Sequence, residues 1–206
     1  MSRPAQIEFL SRFADAYDPV VALLGFPVLW RAIADLAAAR PGERALDVCT
    51  GTGGTALELA RRGARVVALD LGPGMLRVAA RKQHAAAFAG TAFACMDARR
   101  LAFRDGSFPL VSCSMALHEM DEAERALVLG EIRRVACDRV VVAEYRVPPP
   151  GAARLAFRLA RLYEYWESDD FASFVARDFR ERLAAAGLAV VESRDVGAYR
   201  VWRCDV

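Results

Sequence analysis

Ala45-Leu46-Asp47-Val48-Cys49-Thr50-Gly51-Thr52-Gly53-Gly54-Thr55-Ala56 passes from a short, largely apolar run through a glycine-rich turn into a helical pattern. The run Ala45–Cys49 reads as a strand. Thr55–Arg62 reads as a helix, ended by Gly63. Gly51 to Ala56 fits the spacing G-x-G-x-x-G/A, and it stands in the strand-to-helix context that this spacing needs. Glycines there let a ligand approach the backbone, and the opening helix offers free N–H groups to a phosphate or carboxylate. Asp47 stands four residues before Gly51. A carboxylate at that point repels pyrophosphate and suits a cationic ligand. Its alternative role is to cap the loop backbone.

Outward from this unit the pattern alternates. Arg65–Leu69, Ala92–Cys95, Pro109–Met115 and Arg139–Tyr145 read as strands, with helices over Gly74–Gln83 and Ala123–Val135. Such alternation predicts an α/β fold, a parallel sheet with helices on both faces and ligands at its carboxyl edge. Upstream, residues 5–39 read as helices that Pro19 and Pro27 break into pieces, with one helix over Val28–Ala39 and a stop at Pro41-Gly42. Downstream, Pro148-Pro149-Pro150-Gly151 is a stiff connector. A helix with Leu155, Leu159, Leu162 and Trp166 on one face follows, and Ser168-Asp169-Asp170 interrupts it. A second helix is expected with Phe171, Val175, Phe179 and Leu183 in register and Gly187 at its end. Leu188–Ser193 and Tyr199–Cys204 read as an antiparallel hairpin. The expected organisation is a single domain over 1–206. Its parts are an N-terminal helical segment (1–40), a core sheet (41–147 and 187–206) and a helical lid-like insertion (148–186).

Composition narrows the function classes. The formal net charge is +2 and the arginines are dispersed, so no nucleic-acid partner is expected. Five cysteines without a CxxC pair, and only two histidines, argue against a metal site and a disulfide framework. No leader peptide is read at Met1–Ile7, and Pro19–Trp30 is too short for a membrane span. That stretch can contact a lipid surface peripherally or line an apolar pocket. The expected compartment is the cytoplasm and the expected partner a small molecule; oligomeric state stays open.

Two more acids follow strand ends. Asp70 closes the second strand nineteen residues after Gly51, where a carboxylate accepts hydrogen bonds from both ribose hydroxyls or caps the next helix. Asp97-Ala98 follows the third strand. Its carboxylate and backbone N–H can read an adenine edge, or Asp97 is a solvated loop residue. Three acids at successive strand ends, with glycines after the first, point to an adenosine-bearing ligand.

The stretch from Ala45 to Gly53 resembles motif I of class I S-adenosylmethionine-dependent methyltransferases. Val66–Leu71 with Gly74-Met75-Leu76 resembles their next motif, and Met96-Asp97-Ala98 with Leu101–Phe108 resembles the segment leading into the fourth strand. Phe13–Asp18 and Tyr163–Ser168 are similar to the N-terminal and lid segments of the ubiquinone/menaquinone C-methyltransferase (UbiE) group. The resemblance implies a Rossmann-like seven-stranded sheet, strands one to five parallel with a C-terminal antiparallel hairpin. It implies S-adenosyl-L-methionine as cofactor, S-adenosyl-L-homocysteine as product, and a site comprising Tyr17, Asp47, Thr50, Gly51, Thr52, Gly53, Asp70, Leu71, Met75, Asp97, Ala98 and Met115. The family's Lys-Pro-Gly-Gly before strand five is replaced by Val135-Ala136-Cys137-Asp138. The quinone enzymes' Gly-Leu-Arg-Asn is replaced by Met115-Ala116-Leu117-His118-Glu119-Met120. The donor site therefore carries over and the acceptor does not.

His118, just beyond strand four, is the candidate general base, with Glu119 beside it; the bland alternative for His118 is a loop-orienting role. Phe171, Phe174, Trp166 and Tyr163 form either an apolar roof or ordinary core. Arg154, Arg158 and Arg161 form either a solvated face or a site for an anionic group. The expected function is methyl transfer to a small apolar or aromatic acceptor. A cofactor-binding protein without transfer is the alternative. An NAD(P)-dependent oxidoreductase is disfavoured because no Tyr-x-x-x-Lys pair exists and Lys82 is the sole lysine.

Overall fold

The computed structural model describes residues 3–86, 90–148 and 170–206. Tyr163, Trp166, the Leu155–Trp166 helix and the Arg154/Arg158/Arg161 face therefore lie outside the described residues. The chain opens with helices α1 (Arg3–Arg12), α2 (Ala14–Leu23) and α3 (Phe26–Ala37). Next come β1 (Arg44–Val48), α4 (Gly54–Arg61), β2 (Arg65–Asp70), α5 (Pro73–Ala85), β3 (Thr91–Cys95) and β4 (Phe108–Ser114). A 3₁₀ turn (Leu117–Glu119), α6 (Glu122–Val135) and β5 (Ala136–Tyr145) follow. Beyond them lie α7 (Asp170–Ala176), α8 (Phe179–Ala185), β6 (Ala189–Val196) and β7 (Tyr199–Asp205).

The strands form one sheet in the order β3-β2-β1-β4-β5-β7-β6, with β1 to β5 parallel and β7 antiparallel to both β5 and β6. Strand order reverses between β1 and β4, which opens a crevice at the carboxyl ends there. Val140, Val141, Val142 and Ala143 of β5 are fully buried, as a strand covered on both faces requires.

Four local expectations need correction. Pro19 does not break the chain; it sits inside α2, which forgoes the backbone bond that the ring cannot donate. Pro27 opens α3 in its first turn, after Gly25 in a left-handed conformation, so α3 starts at Phe26 and not at Val28. The helix expected over Phe171–Leu183 is two helices. Asp178 accepts from the N–H of Arg180 at 2.9 Å and starts α8, while the buried Arg182 donates to the Ser173, Phe174 and Arg177 carbonyls that end α7. The C-terminal strands run longer than their apolar cores, leaving Gly197-Ala198 as a two-residue turn with Gly197 at φ 58°.

The edge of the sheet away from the crevice is tied by Arg139 of β5. Its buried guanidinium donates to the carbonyls of Ala37 and Ala38 at the end of α3 and to the Glu43 carboxylate at 2.6 and 3.0 Å. Burial works against ionised Glu43, yet the Arg139 hydrogen bonds hold its carboxyl below the ordinary range. Removing one partner strands the other in a nearly dry site. Arg139→Met is expected to cost about 3–5 kcal/mol of unfolding free energy. Adding Glu43→Gln should recover part of that loss. Urea denaturation of both variants measures this, and an unchanged Arg139→Met midpoint would refute it.

Candidate functional site

A cavity of roughly 1000 Å³, counting its open mouth, sits over the carboxyl ends of β1, β2 and β4. One wall is the glycine turn and the loops after β2 and β3, with Thr50, Gly51, Thr52, Asp70, Leu71, Met75, Met96 and Ala98. The opposite wall is Ser114, Met115, Ala116, Glu119 and Met120. The N-terminal helices add Ile7, Tyr17, Phe26 and Trp30.

Backbone conformation shapes both walls. Cys49, Gly51 and Gly53 take φ of 56°, 53° and 80°, and Met115 takes 53°. Two non-glycine residues in the left-handed region, one on each wall, are strained backbone at a ligand cavity. At Gly54 a Cβ would overlap the Trp30 indole, so the helix start and α3 touch through that glycine. Asp18 secures α2 to the turn: it accepts from the Thr52 hydroxyl at 2.5 Å and pairs with Lys82 at 2.6 Å.

The acids divide by position. Asp70 faces the cavity, and its two oxygens accept from the N–H groups of Gly51 at 2.8 Å and Gly72 at 2.7 Å. Asp47 lies beneath the wall, fully buried, accepting from the hydroxyls of Thr50 and Ser112, each at 2.6 Å. Burial pushes its carboxyl up to about 6, against the pull of those hydrogen bonds, and the Asp70 charge adds to the rise. Asp97 is not among the lining residues and pairs with Arg99 at 2.7 Å, while Ala98 and Met96 beside it reach the wall. The Tyr17 hydroxyl is pushed well up by burial and by the charges of Glu119, Asp18 and Asp70.

Of the residues expected at the site, the cavity gathers Tyr17, Thr50, Gly51, Thr52, Asp70, Leu71, Met75, Ala98 and Met115. Asp47, Gly53 and Asp97 stand behind it. His118 is not on the described wall: it is buried, with Nδ1 2.7 Å from Glu144 and its ring against Tyr145, Phe171 and Phe174. Phe171 and Phe174 are thus core around His118, and neither lines the described cavity wall. Phe26 and Trp30 belong to the Pro19–Trp30 stretch read as able to line an apolar pocket, whereas Ile7 carried no such signal, because helix docking decides its place. Glu144 was missed although the sequence carries a signal, one acid in the apolar run Val140–Tyr145. No described helix alone is long and apolar enough to cross a membrane.

A seven-stranded sheet of this order, with a glycine turn after β1 and an acid ending β2, is the architecture of class I methyltransferases. Comparison with known proteins agrees. A methyltransferase domain family matches residues 45–138. The demethylmenaquinone methyltransferase of Thermus thermophilus is 40% identical over 156 residues, covering 72% of this chain and 70% of that one. The demethylmenaquinone methyltransferase of Clavibacter sepedonicus is 33% identical, covering 95% and 87%. A crystal structure of a SAM-dependent methyltransferase from Aquifex aeolicus superposes with a TM-score of 0.63 at 19% identity, each chain covered in full. The chain belongs to the S-adenosylmethionine-dependent methyltransferases, in the family that includes these UbiE-type enzymes, and S-adenosylmethionine is its methyl donor.

The buried Asp47 makes a pH prediction. Its folded value is about 6 against an ordinary 3.8, so between those values the folded state holds more proton than the unfolded. Stability from this group is then highest below the ordinary value and falls as pH rises through the window, by about 3 kcal/mol in all. Asp47→Asn lacks the slope. The unfolding free energy of the variant minus that of the wild type should grow by about 2–3 kcal/mol from pH 4 to pH 7. Denaturation at both pH values checks it, and a constant difference would count against the assignment.

Proposed function

We propose that this enzyme transfers the methyl group to a small apolar or aromatic acceptor held against the Met115–Met120 wall. The observation that carries the reading is that one cavity joins the Asp70 wall to that second wall. In this reading Asp70 accepts the ribose hydroxyls, and Leu71 and Met75 flank the nucleoside. Ala98 offers its backbone to the adenine edge. Thr50, Gly51 and Thr52 border the methionine part, with Tyr17 across from them. Asp47 and Gly53 act from behind by fixing the turn, and Asp97 holds the Ala98 loop through Arg99.

Charge supports a sulfonium donor. The described wall carries the acids Asp70 and Glu119 and no Lys, Arg or His. Such a wall favours a cation and disfavours the pyrophosphate of a nicotinamide dinucleotide. Methyl transfer is an in-line displacement whose hard chemistry the donor supplies, so the protein's work is to position the acceptor and exclude water. The apolar groups Met115, Met120, Phe26 and Trp30 suit an aromatic acceptor. The relatives named demethylmenaquinone methyltransferase support a quinol ring as that acceptor.

An apolar acceptor needs a source. Phe9, Phe13, Val20, Leu23, Leu24 and Val28 are exposed on α1–α3, the helices that also supply Ile7, Tyr17, Phe26 and Trp30 to the cavity. This continuity argues that the helices rest on a lipid surface from which the acceptor enters.

Isothermal titration with S-adenosylhomocysteine tests the donor site. Asp70→Ala should weaken binding by roughly 100-fold, the loss of two hydrogen bonds to a charged group. Unchanged affinity would refute the placement. A labelled-methyl screen over naphthoquinols, phenols and thiols tests the acceptor, and incorporation only into thiols would overturn the aromatic reading. Sedimentation with phosphatidylglycerol vesicles tests the lipid contact. The wild type should pellet and Leu23→Glu should remain in solution; equal partitioning would argue against it.

A further inference from the structure

The loop between β4 and α6 is held by a carboxylate that comes from neither element. Glu144 of β5 has a side chain with 0% exposure. Its Oε1 accepts from the N–H groups of Ala116 at 3.0 Å and Leu117 at 2.7 Å, and its Oε2 lies 2.7 Å from His118 Nδ1. A carboxyl group so far from water needs such a full set of partners. Accepting from Nδ1 sets the imidazole tautomer: the neutral ring then carries its proton on Nδ1 and its lone pair on Nε2. His118 Nε2 in turn lies 4.0 Å from Oε1 of Glu119, and Glu119 is on the cavity wall. That distance is too long for a direct hydrogen bond, and because both atoms accept in this state, a single water donating to each is what bridges them.

The surroundings keep this row in register. From α6, Arg125 donates to the carbonyls of Leu117 at 2.8 Å and Met120 at 2.5 Å, clamping both ends of the 3₁₀ turn. From β5, Tyr145 packs on the His118 ring at 4.8 Å, with Tyr199 of β7 behind it. From α7 the described neighbours are the apolar Phe171 and Phe174. From α2, Tyr17 feels the Glu119 charge across the cavity. Among the described residues, Glu144 stands at Nδ1 and Glu119 at Nε2, so two acids flank the ring on opposite nitrogens.

We infer that Glu119 takes the proton released by the methyl acceptor, and that His118 and Glu144 behind it are positioning residues that hold it and tune its proton affinity. This rests on the proposed methyl transfer to a small acceptor. The step balances. A lone pair or π pair of the acceptor forms the bond to the methyl carbon, and the carbon–sulfur bond breaks with its pair going to sulfur. The acceptor's proton passes to the Glu119 carboxylate and leaves to solvent before the next turnover. Net, the sulfonium cation and the protonated acceptor give the thioether, the methylated acceptor and one proton.

Two measurements test it. The chain has only two histidines, so ¹⁵N imidazole spectra of the S-adenosylhomocysteine complex resolve His118 once His84→Gln identifies the other. Neutral His118 should carry its proton on Nδ1, and Glu144→Gln should shift it to Nε2. Glu119→Gln should lower the His118 titration midpoint by roughly one unit, because one flanking charge is gone. The second measurement is methyl transfer from labelled donor to a short-chain 2-prenyl-1,4-naphthoquinol. Glu119→Gln should lower kcat about 100-fold, with KM for the donor unchanged and the acid limb of the pH profile lost, and Glu119→Asp should restore part of the rate. A His118 titration indifferent to Glu119→Gln overturns the inference, as does a wild-type rate and pH profile in that variant. If the wild type leaves the naphthoquinol unmethylated, the acceptor reading fails, and the imidazole spectra decide the role of the Glu119–His118–Glu144 row.

Discussion

Carboxylates at the carboxyl ends of parallel strands, each gathering donors from a loop, are the interaction on which this cavity depends. A parallel strand that ends in a turn leaves backbone and side-chain donors without the partners a continuing ladder would supply. Here Asp47 on β1 takes the Thr50 and Ser112 hydroxyls, Asp70 on β2 takes Gly51 and Gly72, and Glu144 on β5 takes Ala116, Leu117 and His118. Each acid ties two chain segments that are distant in sequence. Together they set three loops around one space, and the sheet beneath supplies the fixed spacing between them.

The arrangement costs stability and returns a field. A buried carboxylate is unfavourable unless its donors satisfy it, and Asp47, raised toward neutrality by burial, shows how nearly that balance is struck. The same negative potential, kept by fixed groups and not by mobile side chains, meets a cationic donor without reorganisation. Structural support and donor preference are thus two results of one placement of charge. The strained backbone at Cys49 and Met115 belongs to the same economy, since tightly held loops can keep conformations that free loops would relax.

The sheet was legible because its signals are local. Apolar strands, glycine stops and the presence of a C-terminal hairpin follow from short-range periodicity and turn chemistry, and the strands fall within a few residues of their expected limits, although the hairpin's turn is shorter than expected. That Gly51, Asp70, Leu71, Met75 and Ala98 would share one cavity wall was legible for the same reason: they lie at or shortly after strand ends, and an acid or glycine marks each loop. What could not be read depended on partners far along the chain. Asp97 looks like a free loop acid until Arg99 pairs with it, and Arg99 is itself held by Glu124 of α6. Pro19 looks like a breaker until tertiary packing carries the helix through it. The Phe171–Leu183 pattern keeps helical register across Asp178, whose capping role shows only when Arg182 is seen closing α7. His118 was singled out for its residue type, whereas its place is decided by Glu144, which lies 26 residues downstream.

The two walls of the cavity are built by different means, and this explains why a sequence tells more about one than the other. The Asp70 wall uses backbone N–H groups, glycines and acids on consecutive β–loop–α units, Asp70 facing the cavity and Asp47 beneath it, so its pattern is compact. The Met115–Met120 wall is a turn whose position is set by side chains from three other elements. Glu144 comes from β5, Arg125 from α6, and Phe174 from α7 lies within 6 Å of the Arg125 guanidinium and also beneath that of Arg182. Phe174 thereby links the end of α7 to the clamp on the 3₁₀ turn. A substitution in α7 can therefore move Glu119 and Met120 without touching the glycine turn. The Met115–Met120 turn can vary along that route while the glycine turn stays as it is, which fits a chain that keeps the family's glycine motif and departs from its quinone signature at Met115–Met120.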